Sequence, residues 1–186
     1  MSAAPAAATA RRARSVLTSI ADLNELHGDD FATAFKPLFE AAGPLAEALY
    51  AARPFGSYAE LIERAEAIAS TLPDAQQVEV VNAHPRIGEH PARISAHSFK
   101  EQGYDRPTGE DPTVLAALAE LNAAYEERFG FRFVVFVNKR PKSEILSVLR
   151  HRMTNSREAE LRTGLRDMFL IARDRCGGQR RERTED

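Results

Sequence analysis

The stretch Phe131-Arg132-Phe133-Val134-Val135-Phe136-Val137 has the strongest strand character in the chain, and its reading decides the fold. β-Branched residues and phenylalanine favour extended backbone, although the apolar alternation here is imperfect. One short strand cannot make a sheet. No second convincing strand partner occurs elsewhere, and the rest of the core has helical apolar spacing. The self-consistent expectation is an all-α, single-domain bundle with residues 131–137 buried between helices as an extended segment.

Helical signals surround that segment. Upstream, Asp111-Pro112 supplies a cap and a first-turn proline, Leu115, Leu118, Leu121, Ala124 and Tyr125 keep one face, and Gly130 ends the run. Downstream, helices are expected over about 143–153 and 156–176, with Asn155 and Glu158 at capping-box spacing for the second. Nearer the N-terminus, Phe31, Phe35, Leu38 and Phe39 follow the capping-competent Asp29 and Asp30. Pro44 suits a first turn before Leu45 and Leu49, and Ser57 can cap a helix aligning Tyr58, Leu61, Ile62, Ala65 and Ile68. Residues 1–14 are Ala-rich with Arg and 177–186 are Gly-Gly followed by charges, so both are expected to be disordered tails flanking a domain over 15–176.

With 186 residues, 44% of them hydrophobic, the chain can bury one sizeable core. Twenty-five basic against 27 acidic residues leave a formal charge of -2, which gives nucleic acid no electrostatic footprint. A single cysteine, Cys176, excludes an intramolecular disulfide framework and a cysteine-rich metal site. No apolar run approaches the length of a membrane span, and the N-terminus lacks signal-peptide order. The C-terminal Arg-Thr-Glu-Asp is not the simplest peroxisomal address. A cytoplasmic protein is expected.

Three polar clusters stand out. His84 precedes Pro85, so its backbone is pushed toward extended geometry just after the run Val78 to Val81. Imidazole suits proton transfer near neutral pH, and a structural histidine fits the position as well. Ser98-Phe99-Lys100-Glu101-Gln102-Gly103 reads, on its own, as a helix surface with a C-terminal glycine. Arg175 falls on the stripe of Leu161, Leu165, Met168 and Ala172, whereas Arg173 points about 120° from Leu161. An arginine on an apolar stripe needs a partner or ligand, unless its stem snorkels to water at the helix end. His84, His90 and His97 with Glu89 and Glu101 match no helical metal-ligand spacing, so no metal is expected. No phosphate-binding glycine motif and no nucleophile-elbow motif occurs.

Taken in order, these motifs resemble the 2-oxo-4-hydroxy-4-carboxy-5-ureidoimidazoline (OHCU) decarboxylase family over about residues 16–176. The resemblance rests on Leu23-Asn24 with Phe31, Arg53-Pro54-Phe55, Ala83-His84-Pro85 with Gly88, and Ser98 with Glu101-Gln102. It continues through Leu121-Asn122 with Tyr125, Phe129-Gly130-Phe131 with Phe133, and Arg152 with Asn155 and Glu160-Leu161. It implies about eight helices, a homodimer, a small-molecule substrate, and no metal or organic cofactor. It further implies catalytic roles for His84 and Glu101 and a site arginine in an Ile-x-x-x-Arg-Leu pattern. That pattern lands on Ile171 and Arg175, with Cys176 standing where leucine is expected, which leaves Arg173 as the other candidate. Pro85, Ser98, Gln102 and the backbone of Phe133, Val134, Val135, Phe136 and Val137 would line the substrate. The implied reaction, in urate breakdown, is loss of carbon dioxide from OHCU to give (S)-allantoin. A helical module that binds a ureide without turnover is the competing expectation.

Overall fold

The computed structural model describes residues 17–89, 91–104 and 111–182. Among the described residues the chain forms nine α-helices and one 3-10 turn, with no strand. The helices are α1 (Ile20–Glu25), α2 (Gly28–Phe39), α3 (Gly43–Ala51), α4 (Tyr58–Thr71), α5 (Asp74–Asn82), α6 (Ala96–Glu101), α7 (Pro112–Phe129), α8 (Lys142–Arg152) and α9 (Arg157–Glu182), with the 3-10 turn at Pro91–Arg93. The extended reading of residues 131–137 and the all-α class both hold. The residues expected to form the N-terminal tail, 1–14, lie outside the described residues.

Side-chain oxygens start five of these helices. Ser19, Ser57, Ser95 and Asp111 accept from backbone N–H groups in the first turns of α1, α4, α6 and α7. For α9 the cap is Ser156, whose hydroxyl accepts from the Ala159 N–H at 3.3 Å. The expected Asn155 and Glu158 box is therefore displaced, because Asn155 instead donates to the buried Glu160 at 2.6 Å. Asp29 and Asp30 also sit inside the first turn of α2 and not at its cap, where they complement the positive end of the helix dipole. Gly130 ends α7 with φ 80°, the left-handed geometry that favours glycine.

Helix α9 packs against α2, α4 and α5, and its stripe of Leu161, Leu165, Met168 and Ala172 is buried. Phe169 extends this surface, meeting Phe39 edge-on at 5.7 Å, while Phe39 stacks on Phe35 at 4.7 Å. Each such ring removed from water contributes about 1.5–3 kcal/mol, so this seam fixes α2 against α9. The expected helix end at Cys176 is not a boundary: α9 runs on through Gly177-Gly178 to Glu182. Each glycine costs about 1 kcal/mol relative to alanine, and the long packed helix upstream carries it.

The Leu23-Asn24 and Arg53-Pro54-Phe55 motifs turn out to tie the end of α1 to the loop between α3 and α4. Asn24 donates to the Phe55 carbonyl at 2.8 Å and accepts from the Phe55 N–H at 3.0 Å, while Arg53 donates to the carbonyls of Asn24 and Leu26.

Candidate active site

The site gathers where the end of α2, the loop after α5, α6 and the C-terminal half of α9 converge. Its centre is Arg175, 4% exposed on the inner stripe of α9. Nε and Nη2 donate to the two oxygens of Glu101 at 2.6 and 2.8 Å. Nη2 also reaches Glu40 Oε1 at 2.9 Å and Ser98 Oγ at 3.3 Å, while Nη1 donates to the carbonyls of Pro37 and Leu38 at 3.2 Å. Every nitrogen of the guanidinium therefore has a protein partner. Burial disfavours its charge, but Glu101 and Glu40 more than offset that and raise its pKa. Arg173 points instead to the surface, where it pairs with Glu66.

His84 lies just beyond α5, its backbone N–H donating to the Val81 carbonyl at 3.2 Å. The residue is 3% exposed, and neither ring nitrogen has a hydrogen-bond partner among the described residues. Burial, reinforced by the Arg175 charge and opposed by Glu40, pushes its pKa down to about 3. The imidazole is neutral near pH 7 and can accept a proton.

Glu40 was invisible to motif reasoning. It caps the C-terminus of α2, with φ 56° and ψ -137°, and its Oε1 accepts from Ser95 and Ser98 at 3.0 Å as well as from Arg175. Burial pushes its carboxyl up, while Arg175, His84, Ser98 and Ser95 pull it down, and the net shift is downward. One signal was present in the sequence: a carboxylate at a helix C-terminus faces the negative end of the dipole and calls for a cation elsewhere.

The other expected lining residues divide. Ser98 is buried within the Arg175 cluster, and Pro85 is half-buried beside His84. Gln102 spends both ends of its amide on the adjacent loop, accepting from the Gly88 N–H at 2.9 Å and donating to the Arg86 carbonyl at 3.0 Å. That geometry braces the loop that follows His84-Pro85.

In the extended segment, Phe133, Val134, Val135 and Val137 are buried and Phe136 is half-buried. Arg132 ties its start to the His84 loop, donating to the carbonyls of Asn82 and His84 at 2.8 and 3.0 Å. Several backbone groups are already taken: the Val134 carbonyl by Arg152, the Phe136 carbonyl by Arg140, and the Phe136 N–H by Asp167 at 3.4 Å. The amides of Phe133, Val134, Val135 and Val137 have no hydrogen-bond partner among the described residues.

Behind the segment, Arg152 is paired with Glu160 at 2.8 Å and Asp167 at 3.4 Å, and its guanidinium carbon lies 4.6 Å from the centre of the Phe133 ring. The Tyr125 hydroxyl also donates to Glu160. Burial pushes Asp167 up despite the Arg152 charge.

Among the described residues no group of three or more His, Cys, Asp or Glu has metal-holding geometry, and His90 lies outside those residues. No described helix is long and apolar enough to cross a membrane.

The family described as OHCU decarboxylase matches residues 24–177. The 2-oxo-4-hydroxy-4-carboxy-5-ureidoimidazoline decarboxylase of Haloferax volcanii is 29% identical over 154 residues, covering 83% of this chain and 91% of that protein. A uric acid degradation bifunctional protein of Bacillus sp. (strain TB-90) is also 29% identical, over 81% of this chain, which spans only 30% of that longer protein. A crystal structure of an OHCU decarboxylase in the presence of (S)-allantoin superposes with a TM-score of 0.62 at 25% identity, covering 78% of this chain and 93% of that one.

Proposed function

This chain belongs to the OHCU decarboxylase family, and from that premise we propose that it converts OHCU to (S)-allantoin in urate breakdown. The observation that carries the reading is a neutral, buried His84 with both ring nitrogens open, placed in the field of the Arg175 cluster.

The substrate bears a hydroxyl and a carboxylate on one ring carbon, next to a carbon doubly bonded to nitrogen. Breaking the bond to the carboxylate releases carbon dioxide and sends the electron pair through the ring to that nitrogen, which takes up a proton. The resulting enol must lose its hydroxyl proton and gain a proton at the ureido-bearing carbon. The substrate is its own electron sink, so the protein's work is orientation and proton handling. Neutral His84 accepts the hydroxyl proton and returns one to a single face of the carbon, which sets the (S) configuration. An anionic substrate beside it raises its proton affinity from the depressed resting value.

Arg175 acts as a fixed positive charge. Its N–H groups are already taken, so it stabilises negative charge developing in the ring without clamping the departing carboxylate, a contact that would hold the ground state back. Glu101 keeps the guanidinium in place. The free amides of Phe133, Val134, Val135 and Val137 are the groups of the extended segment that can read ureide carbonyls.

The same reading includes a homodimer and a cytoplasmic enzyme, with residues 15–176 forming the catalytic domain. Sedimentation of the full chain tests the dimer. Circular dichroism of freshly generated substrate tests the activity: (S)-allantoin forming faster than in the absence of protein supports it. Ligand binding with only the spontaneous rate would favour a ureide-binding module.

A further inference from the structure

We propose that Glu40 is a positioning residue of this site: its carboxylate, gathered by Ser95, Ser98 and Arg175, supplies the negative charge that supports His84 while the imidazole carries a proton. The inference rests on the acid/base reading of His84 given above.

Three independent features single out this side chain. First, Glu40 adopts φ 56° and ψ -137°, a backbone region that glycine enters freely and a glutamate enters only under strain. A residue serving only to end α2 would be better as glycine. Second, the hydrogen bonds to its carboxylate converge on one oxygen. Ser95 Oγ, Ser98 Oγ and Arg175 Nη2 all reach Oε1, so the carboxylate is fixed in orientation while Oε2 has no donor among the described residues. Third, the two carboxylates divide their work. Glu101 engages Arg175 through both oxygens, whereas Glu40 takes a single arginine nitrogen and keeps negative charge for another group.

The electrostatics agree with that division. Glu40 is the carboxylate that draws the His84 pKa upward, against burial and against Arg175. His97 lies in the same field: burial, Arg175 and Lys100 lower its pKa, Glu101 and Glu40 oppose them, and the net shift is downward. A protonated, buried His84 beside Arg175 would otherwise place two cations together in a poorly solvated site. Glu40 makes the transient imidazolium tolerable.

Glu40→Gln removes the charge and keeps an oxygen acceptor for Ser95, Ser98 and Arg175. Measured on the full chain from pH 5 to 9, it should lower kcat for (S)-allantoin formation about 10- to 100-fold, less than the 10²–10⁴ typical of the acid/base group itself. KM should change less than about threefold, and the acidic limb of the kcat profile should move to lower pH, since His84 becomes harder to protonate. Glu40→Gly should retain or raise the thermal midpoint by relieving the backbone strain, yet lose turnover to a similar degree. Combining Glu40→Gln with His84→Ala should add little to the loss from His84→Ala alone. A Glu40→Gln enzyme with near-normal kcat and an unmoved pH profile overturns the proposal. So does a loss of turnover that only tracks the fraction of unfolded protein. If the wild-type protein itself leaves the spontaneous rate unchanged, the decarboxylase reading fails first and this inference with it.

Discussion

Arg175 meets Glu101 side-on, with Nε 2.6 Å from Oε1 and Nη2 2.8 Å from Oε2. The two residues are separated by most of the C-terminal half of the chain, so this paired contact joins α6 to α9 and fixes the charge beside His84. A planar fork is needed for it.

Arg175→Lys should therefore be a poor substitute. The ammonium keeps the charge but cannot engage both oxygens of Glu101 while also reaching Glu40 and the carbonyls of Pro37 and Leu38. We expect a loss of about 1–3 kcal/mol in stability from unpaired buried acceptors. Chemical denaturation measures this, and turnover should fall further than stability does.

The pH dependence of stability has a definite sign. His84 titrates near its ordinary 6.5 when unfolded and near 3 when folded, so below pH 6.5 the unfolded chain binds a proton that the folded chain refuses. Its stabilising contribution is full above pH 6.5 and is lost progressively as pH falls toward 3. Between pH 7 and 5 the loss from this group is about 2 kcal/mol. The lowered carboxyl of Glu40 adds loss in the same direction at more acid pH. Urea unfolding at pH 7 and 5 should show the drop, and His84→Leu should flatten it.

At pH 7 the same His84→Leu variant should be more stable than the wild type. Two buried ring nitrogens without partners carry a desolvation cost of about 1–3 kcal/mol that leucine does not. A raised thermal midpoint together with lost turnover would mark His84 as a residue kept for chemistry at the expense of stability.

Arg152→Met should be among the most damaging single changes. It leaves the buried carboxylate of Glu160 without its cation and Asp167 with Arg166 alone, a loss of about 3–5 kcal/mol, and frees the Val134 carbonyl. A partly folded preparation at low temperature should show a raised KM, because the extended segment loses its anchor.

Much of the fold could be read from local chemistry because it is encoded locally. Ser57 and Asp111 cap helices through neighbouring N–H groups, and Gly130 stops α7 by its own backbone freedom. Residues 131–137 were recognisable as extended and buried because they lacked a strand partner. Arg175 stood out because a cation interrupts an apolar stripe. Glu40 did not, since its partners lie on α6 and α9 and no short motif records them. The role of Gln102 was also obscured: its position beside Glu101 says nothing about an amide folded back onto the loop of Arg86 and Gly88. The start of α9 fell where expected, but its cap and its end did not, because Asn155 is drawn to a buried glutamate, and Gly177-Gly178 reads locally as a stop while the packed helix carries through it.

The central claim is that His84 moves the protons of a cofactor-free decarboxylation. Circular dichroism of freshly generated substrate, followed with wild-type protein and with His84→Ala at matched folded concentration, tests it most directly. The account predicts rapid accumulation of (S)-allantoin with the wild type and a rate about 10²- to 10⁴-fold lower with the variant. Equal rates of (S)-allantoin formation from the two proteins would contradict it.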